Sequence, residues 1–291
     1  MFDFKDDVNL ILRSMGISIH ELANDLYLDV PTISNWLNGK YEADHRSKED
    51  IYEYAYKNGI RINLAHEAAL KMLSEKDGFV PLYHGSKQGI NKEIDINYSK
   101  DKNDFGKGFY CGETFEQSAM FVCDYRNSYI YSYGFYTNNL KKYEYGIDNN
   151  WMITIAYYRG LLNEYSDSAK LKKIIDKSKG VDYIIAPIAN NRMFDIIGEF
   201  VNGNITDKAC NYAIAALDLG KQYVLKTKKA IDNLGIFKQY YFCNSEKEYY
   251  RLDKNTSQKQ RYSTIKSFRS KHREGKYIEE LLWGNLIMTV W

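Results

Sequence analysis

The sequence predicts an α+β fold preceded by a small all-α domain, and three observations support this. Residues 1–78 repeat apolar side chains at the three- and four-residue spacing of amphipathic helices. Beyond residue 78, short apolar runs that suit strands alternate irregularly with helical patterns, which argues against a doubly wound sheet. A length of 291 residues is enough for two or three domains. We therefore predict domains over residues 1–78, 79–242 and 243–291.

The first domain is predicted to consist of short, capped helices. An apolar stripe at helical spacing begins near Asp7. Ser18, followed three residues later by Glu21, forms the capping box of a second helix. Pro31 suits the first turn of a third helix, because its missing N–H is not needed there. Residues 51–76 predict one further helix.

The pattern over residues 21–39 resembles the helix-turn-helix of the lambda-repressor-like family. That resemblance implies a DNA-facing set of four side chains, namely Thr32, Ser34, Asn35 and Lys40. Residues 1–78 nevertheless carry 9 basic and 14 acidic side chains, a net charge of −5. This charge opposes the phosphate neutralisation on which DNA affinity depends. Two interpretations stay open for the domain: it binds DNA, or it contacts a partner protein.

The second domain is predicted to begin with a strand over residues 80–84. A strand over 105–111 and a helix capped by Thr114, with Gln117 completing the capping box, follow it. The later pattern predicts strands and then helices, the strands over 140–145, 181–188 and 223–226 and the helices over 150–163, 193–202 and 207–217. In the third domain, the apolar residues 278–283 and 286–291 predict a terminal helix.

The composition excludes several classes of protein. No run of about 18 apolar residues exists, and the N-terminus is acidic where a signal peptide is basic, so we expect a cytoplasmic protein without a membrane anchor. The four cysteines lack Cys-x-x-Cys spacing, so we expect neither disulfides nor a metal site. Residues 221–291 carry 15 basic and 7 acidic side chains, a net charge of +8 that attracts polyanions.

Two glycine-containing motifs carry most of the functional information. Residues 82–86 read Leu-Tyr-His-Gly-Ser, and residues 104–110 read Asp-Phe-Gly-Lys-Gly-Phe-Tyr. Glycine lets a backbone approach a ligand more closely than any other residue does. Taken alone, His84 suits a core histidine and Tyr110 suits strand packing. Together with the later Ser-Ala-x-Phe at 118–121, they favour a ligand site.

This order of motifs resembles the ADP-ribosyltransferases of the diphtheria-toxin type, which include the poly-ADP-ribose polymerases. That family has a His-Gly-Ser/Thr strand, a Gly-Lys-Gly-(Ile/Leu)-Tyr strand and a helix with Ser-Ala-x-aromatic. The corresponding residues here are 84–86, 106–110 and 118–121. The third family element is a Glu at the start of a strand. It is matched by Gln222, in Gln-Tyr-Val-Leu-Lys.

The resemblance is closest to a bacterial branch of this clan and covers residues 79–236. That branch shows an aspartate before the Phe-Gly-Lys-Gly run and a Tyr-Ile-Ile-Ala-Pro-Ile-Ala block. The chain has both, at Asp104 and at residues 183–189. The resemblance implies a split β-sheet core with helical insertions. It also implies that NAD is the substrate, with no metal required.

The resemblance further implies a role for each matched residue. The rings of Tyr110 and Phe121 would stack on the two faces of nicotinamide. The Gly85 backbone and the Ser118 hydroxyl would hold its carboxamide, and His84 would hydrogen-bond a ribose hydroxyl. The implied cofactor-binding set is Gly85, Ser86, Gly108, Ser118 and Phe121. The implied catalytic set is His84, Tyr110 and Gln222.

Gln222 departs from the family pattern. A Glu at this position bonds the ribose 2′-hydroxyl and stabilises positive charge in an oxocarbenium-like transition state, whereas Gln keeps only the hydrogen bond. The sequence alone therefore predicts that Gln222→Glu raises the rate. Alternatively, another acid supplies the charge, and the candidates by proximity in sequence are Glu113, Glu116 and Asp104.

The predicted function is mono-ADP-ribosyl transfer from NAD to a macromolecular acceptor, either nucleic acid or protein. Gln222 and Gln117, which replaces a basic residue of the polymerase pattern, argue against polymer synthesis. A helix-turn-helix fused to such an enzyme suits a bacterial toxin of the toxin–antitoxin or antiphage type. Two alternatives stay open: a non-catalytic NAD-sensing transcription regulator and an NAD glycohydrolase.

Overall fold

The computed structural model describes residues 3–90, 93–217, 220–254 and 274–284. Over these residues the chain mixes helices and strands, which confirms the α+β class. The helices are α1 Phe4–Met15, α2 Ile19–Leu26, α3 Val30–Leu37, α4 His45–Lys57, α5 Ile62–Asp77, α6 Phe115–Val122, α7 Asn149–Tyr158, α8 Ala169–Asp176, α9 Asn191–Val201, α10 Asp207–Ala215, α11 Lys228–Ile231, α12 244–254 and α13 Ile278–Leu282. The strands are β1 Val80–Ser86, β2 Phe109–Gly112, β3 Tyr129–Phe135, β4 Lys142–Glu144, β5 Tyr183–Pro187, β6 Lys221–Leu225 and β7 Leu234–Tyr240.

The chain divides into two compact units, each assembled from several segments. The first unit contains residues 1–91, 114–136 and 234–254, and the second contains residues 92–113, 137–233 and 255–291. These units group the chain by contact rather than by sequence order. The division into 1–78, 79–242 and 243–291 therefore stays a prediction.

The helices of the first unit follow local sequence signals. Ser18 and Glu21 form the predicted capping box at the start of α2, and Pro31 lies in the first turn of α3. The single helix predicted over 51–76 is wrong. It is two helices, α4 and α5, separated near Gly59, whose φ of +83° is left-handed and breaks the helical ladder. Side chains of α1 to α4 enclose an apolar core that includes Val8, Ile11, Leu22, Ile33 and Trp36.

The first unit also contains three antiparallel strands. β1 pairs with β3 and β3 pairs with β7, with an irregularity in the second ladder between Ser132 and Tyr133. Helix α6 begins at the predicted capping box of Thr114 and Gln117 and packs against β1. Neither β3 nor β7 was predicted from the sequence, although β3 consists mostly of aromatic and β-branched residues that favour strands.

The second unit places the remaining four strands beside a helical core. β2 and β6 are antiparallel, β6 and β5 are antiparallel, and β5 and β4 are parallel. Residues of α7, α9 and α10 pack with β5 and β6 in one apolar cluster. The strand predicted over 105–111 is shorter than expected. It begins only at Phe109, because Gly106 has a left-handed φ of +69° and turns the chain before it.

Two apolar runs, 278–283 and 286–291, predict the terminal helix. The first run is α13, whose Ile278 and Leu282 are buried and whose Leu282 carbonyl accepts a hydrogen bond from the Ser168 hydroxyl at 2.7 Å. The second run, 286–291, lies outside the described residues, as does most of the basic stretch, 255–273. Across the described residues, every helix is too short or too polar to cross a bilayer.

Candidate functional site

In the second unit, the segment Asp-Phe-Gly-Lys-Gly forms a turn that leads into β2. Gly108 lies directly against β6: a Cβ there would be 2.7 Å from Val224 Cγ1 and 3.0 Å from the Leu225 carbonyl oxygen. Any side chain at residue 108 would therefore have to push Val224 and the β6 backbone away. The structure thus gives Gly108 a packing role, and its contact with a cofactor stays a prediction.

Tyr110 leaves this turn on β2, and its side chain reaches back to the same turn. The hydroxyl donates to the Gly106 carbonyl oxygen at 2.7 Å and accepts from the Phe105 N–H at 3.1 Å. Burial raises the pKa of Tyr110, so the hydroxyl stays protonated and a donor at neutral pH. The half-buried ring packs against the apolar core of the second unit. Its stacking on nicotinamide stays a prediction.

Tyr110 and Gln222 lie on the same face of paired strands. Tyr110 is opposite Val224, and Gly112 is opposite Gln222. Because alternate residues of a strand share a face, Tyr110 and Gln222 are diagonal neighbours, a relation that usually separates residues by about 7–8 Å. Tyr223 points to the other face.

Gln222 is buried, and its amide nitrogen is committed to two acceptors. Nε2 donates to Asp104 Oδ2 at 3.1 Å and to the Pro187 carbonyl oxygen at 3.2 Å. Its amide oxygen, Oε1, accepts no hydrogen bond from the part of the chain that the structure describes. The amide therefore has two satisfied donors on one side and an available acceptor on the other.

Asp104 is held on its other side by Arg159. The Nε and Nη2 atoms of Arg159 donate to Asp104 Oδ1 at 2.9 Å and 2.6 Å, which leaves Oδ2 for Gln222. Asp104 is 7% exposed, so a cationic partner offsets the cost of burying its charge. Sequence reasoning missed Arg159, which follows α7 without any motif around it. No local signal indicated the pair, because Asp104 lies in a polar, charged segment of the sequence, 99–104, where an acid needs no cation.

The three acids considered as sources of negative charge have different surroundings. Asp104 contacts Gln222 directly. Glu113 Oε1 accepts instead from the Lys221 N–H at 2.9 Å, and Glu116 belongs to α6 in the first unit. A Glu at 222 would bring a second carboxylate against Asp104 Oδ2. These contacts oppose the sequence-based expectation for Gln222→Glu, because Asp104 would repel the added carboxylate.

In the first unit, Gly85 is the point where β1 and α6 touch. A Cβ at residue 85 would be 2.8 Å from Val122 Cγ1 and 2.9 Å from the Ser118 carbonyl oxygen. Ser118 is buried in this contact, whereas the ring of Phe121 is 58% exposed. The exposed Lys87 ammonium lies 5.5 Å from the centre of that ring. The structure thus brings together three predicted cofactor-binding residues: Gly85, Ser118 and Phe121.

His84 and Ser86 point to the opposite face of β1 from Gly85, because neighbouring residues of a strand alternate. His84 is half-buried and lies opposite Tyr131 on β3. The Ser86 hydroxyl donates to the Gly89 carbonyl oxygen at 3.0 Å, which fastens the loop after β1. The first-unit residues therefore form two sets on two faces of one strand, and their contact with NAD stays a prediction.

Two further features bear on ligand binding. Cavities of about 480 Å³ and 350 Å³ are present at the surface, but neither is lined by a predicted site residue. Within the described ranges, no group of three or more His, Cys, Asp or Glu side chains is arranged to hold a metal ion.

A family model described as "Protein of unknown function (DUF3990)" matches residues 80–236, more than half of the chain. The chain belongs to the DUF3990 family. The DUF3990 match begins at the first residue of β1 and ends within β7, so it contains every predicted catalytic and cofactor-binding residue. No curated protein and no solved structure matches the chain significantly.

Proposed function

We propose that this DUF3990 chain is a mono-ADP-ribosyltransferase. It breaks the bond between nicotinamide and ribose in NAD, and a nucleophile of a nucleic acid or protein forms the new bond to the ribose carbon and loses its proton. Nicotinamide is the leaving group. The proposed reaction requires no metal ion.

One observation carries this proposal. Two features of the sequence that match the bacterial branch, and one that is matched to the wider clan, meet at one side chain. They are Asp104 before the Phe-Gly-Lys-Gly run, Pro187 in the block 183–189, and Gln222 at the start of β6. Pro187 and Asp104, which precede Gln222 by 35 and 118 positions, both accept hydrogen bonds from its amide nitrogen. Such convergence of motif residues is the structural context that a motif match requires.

The chemistry of Gln222 suits the ribose end of NAD. Its available acceptor, Oε1, can take a hydrogen bond from a ribose hydroxyl while Nε2 stays fixed by Asp104 and Pro187. A fixed acceptor needs no rearrangement when positive charge develops on the ribose ring, which is the condition for stabilising the transition state rather than the substrate.

Within the first unit, taken by itself, one group of residues suits an aromatic amide such as nicotinamide. An exposed aromatic ring, that of Phe121, lies beside Gly85, where the strand backbone carries no side chain. Stacking of an aromatic ligand on such a ring contributes about 0.5–1.5 kcal/mol beyond the burial of area. Backbone groups at Gly85 can then bind the carboxamide.

We further propose that α2 and α3 form a helix-turn-helix and that the protein is a bacterial effector of the toxin or antiphage type. The two helices are separated by three residues, 27–29, which is the length of turn that such a motif uses. The net charge of −5 over 1–78 favours a partner protein on this side, and the net charge of +8 over 221–291 favours a nucleic-acid acceptor.

The test is incubation of the purified full chain with NAD labelled in the ADP-ribose, alone and with RNA, DNA or cell lysate. We expect nicotinamide release together with label on a macromolecule. Release without labelling would instead establish an NAD glycohydrolase, and NAD binding without release would establish a sensor. Either of these outcomes overturns the transferase proposal.

A further inference from the structure

The Asp104–Gln222 pair has an orientation that its neighbours impose. Arg159 donates twice to Asp104 Oδ1, so Oδ1 is occupied and the second oxygen, Oδ2, is left to accept from another donor. The Pro187 carbonyl oxygen is also purely an acceptor. Gln222 can satisfy both only by turning Nε2 toward them, which forces Oε1 to the other side. The amide thus cannot flip without losing both hydrogen bonds.

We propose that Asp104 is the positioning residue of Gln222 and supplies, one hydrogen bond away, the negative charge that Gln222 lacks. This inference rests on the proposed function. An acid and an amide side by side are a complementary pair whichever of the two positions carries the acid. The arrangement therefore predicts that Asp104 and Gln222 can exchange roles: an amide at 104 and a carboxylate at 222 should restore a working pair.

The exchange is compatible with the surrounding contacts. An Asn at 104 keeps an oxygen that accepts from Arg159 and gains an Nδ2 group that donates to a Glu at 222. The pair and Arg159 keep the same total charge. The Pro187 carbonyl oxygen then keeps the Trp151 indole N–H at 3.3 Å but loses the Gln222 amide as a donor, so the exchange should restore only part of the original rate.

A structural salt bridge alone predicts something different. Arg159 needs one acceptor, and an Asn at 104 would still provide an oxygen for it. A purely structural role predicts that the exchange restores stability relative to Gln222→Glu, because only one carboxylate remains, but does not restore the release rate per folded molecule. The positioning role predicts strong coupling between positions 104 and 222, because residues that share one hydrogen-bond network do not act additively.

The experiment compares the wild type with Gln222→Glu, Asp104→Asn and the double variant. Single-turnover nicotinamide release, NAD affinity by calorimetry and thermal unfolding are measured for each. Gln222→Glu should slow release about 100-fold, the size of effect seen when one electrostatic group of a transition-state site is lost. The double variant should recover about tenfold or more of that loss, mainly in the release rate rather than in NAD affinity.

Controls separate this outcome from loss of fold. Glu144→Gln makes the same carboxylate-to-amide change in the second unit, on an exposed acid that pairs with Lys221 at 2.8 Å, and should leave release unchanged. If Gln222→Glu unfolds, Asp104→Asn still tests the proposal, because its release rate must fall at least about fivefold while it stays folded.

The outcomes are distinct for the two proposals. A double variant no faster than Gln222→Glu, in the presence of an active wild type, overturns the exchange and leaves the transferase intact. A Gln222→Glu variant that releases nicotinamide at the wild-type rate also overturns the exchange and leaves the transferase intact. A wild type that neither binds nor cleaves NAD overturns the proposed function, and the positioning role falls with it.

Discussion

Asp7 in the first unit and Asp104 in the second are both buried aspartates, and they are enclosed in different ways. Asp7, in the first unit, is 0% exposed and receives hydrogen bonds from Lys238 Nζ at 2.7 Å and 2.6 Å. The Tyr52 hydroxyl and His66 Nε2 also bond its carboxylate. These partners come from α4, α5 and β7, while Asp7 lies on α1. Four elements of one unit therefore meet at a single carboxylate.

Asp104, in the second unit, has fewer partners and one of them is different in kind. Arg159 is a cation, like Lys238, but Gln222 has an acceptor atom that the described residues leave available. The donors around Asp7 also contact one another, since Lys238 Nζ lies 3.0 Å from His66 Nε2, whereas the amide oxygen of Gln222 stays available on the side away from Asp104. Burial of an acid therefore does not by itself mark a functional site. What distinguishes Asp104 is its neighbour Gln222, whose amide oxygen can still accept a hydrogen bond.

The largest expected effect comes from breaking the cluster around Asp7. Burial alone would raise the pKa of Asp7, but the hydrogen bond from His66 and the charge of Lys238 outweigh it and lower that pKa. Asp7→Asn leaves the Lys238 ammonium buried without its counter-charge. We expect the free energy of unfolding to fall by about 3–5 kcal/mol, measured by urea denaturation at pH 7.

Two further measurements check this expectation. Because the folded pKa of Asp7 lies below its unfolded value of about 3.9, its stabilisation is present above that pH and is lost as the pH falls through the folded pKa. The mutant should therefore lose part of the acid dependence of stability. Glu42→Gln, on an exposed acid, is the control. A loss below about 1 kcal/mol in Asp7→Asn would contradict a structural role for the cluster.

A third buried acid sharpens the comparison, because Glu246 in the first unit has no cation bonded to it in the described structure. Its partner is the Asn63 amide, which donates at 2.6 Å. Burial raises the pKa of Glu246 to about 8, with smaller opposing contributions from Asn63 and Arg61. Between its unfolded pKa of about 4.3 and pH 8, the folded state holds a proton that the unfolded state has lost. The free energy of unfolding should therefore fall as the pH rises across this window.

Glu246→Gln cannot titrate and should remove that pH dependence. Its amide oxygen can still accept from Asn63, so the fold should be retained. We expect the variant to be more stable than wild type near pH 8 by on the order of 2 kcal/mol. Urea denaturation at pH 5 and pH 8 measures the difference. The exposed Glu248→Gln is the control, and parallel pH slopes in Glu246→Gln and wild type would show that Glu246 is ionised in the fold.

Asp104→Asn should cost less stability than Asp7→Asn. The Asn oxygen can keep a hydrogen bond from Arg159, whose side chain is 27% exposed and so remains partly solvated. We expect a loss of about 1–2 kcal/mol in the free energy of unfolding, with a disproportionate loss of nicotinamide release. If Asp104→Asn proves as destabilising as Asp7→Asn while its release rate is unchanged, the two acids play the same structural role.

The smallest effect on stability is expected at Phe121. The ring is 58% exposed, so Phe121→Ala should change the free energy of unfolding by less than about 0.5 kcal/mol. NAD affinity should fall several-fold if the ring stacks on nicotinamide, since stacking contributes about 0.5–1.5 kcal/mol. Calorimetric titration with NAD measures this. Tyr125→Ala, at an exposed aromatic that also lies beside Lys87, is the matched control, and equal affinities in the two variants would remove Phe121 from the site.

Local signals were enough for much of the secondary structure. The capping boxes at Ser18 and Thr114 were predictable because a cap and its partner are three residues apart in sequence. The start of β1 and the positions of both glycine motifs were also predictable, because they depend only on residues that are adjacent in the sequence. By contrast, β3 and β7 were missed, and α4 and α5 were merged. Their boundaries depend on a left-handed glycine and on strand partners far away in the chain.

The sequence by itself determined which residues are candidates for a ligand site and which helix ends are capped, since both depend on residue type and short spacing. The tertiary structure alone decided which of those residues meet. Asp104 and Gln222 are 118 positions apart, and Asp7 and Lys238 are 231 apart. The face that Gln222 presents depends on the register of β6 against β2, because a shift of one residue would turn its side chain to the other face. Local pattern contains no information about that register, and so the partner of Gln222 could be found only in the folded chain.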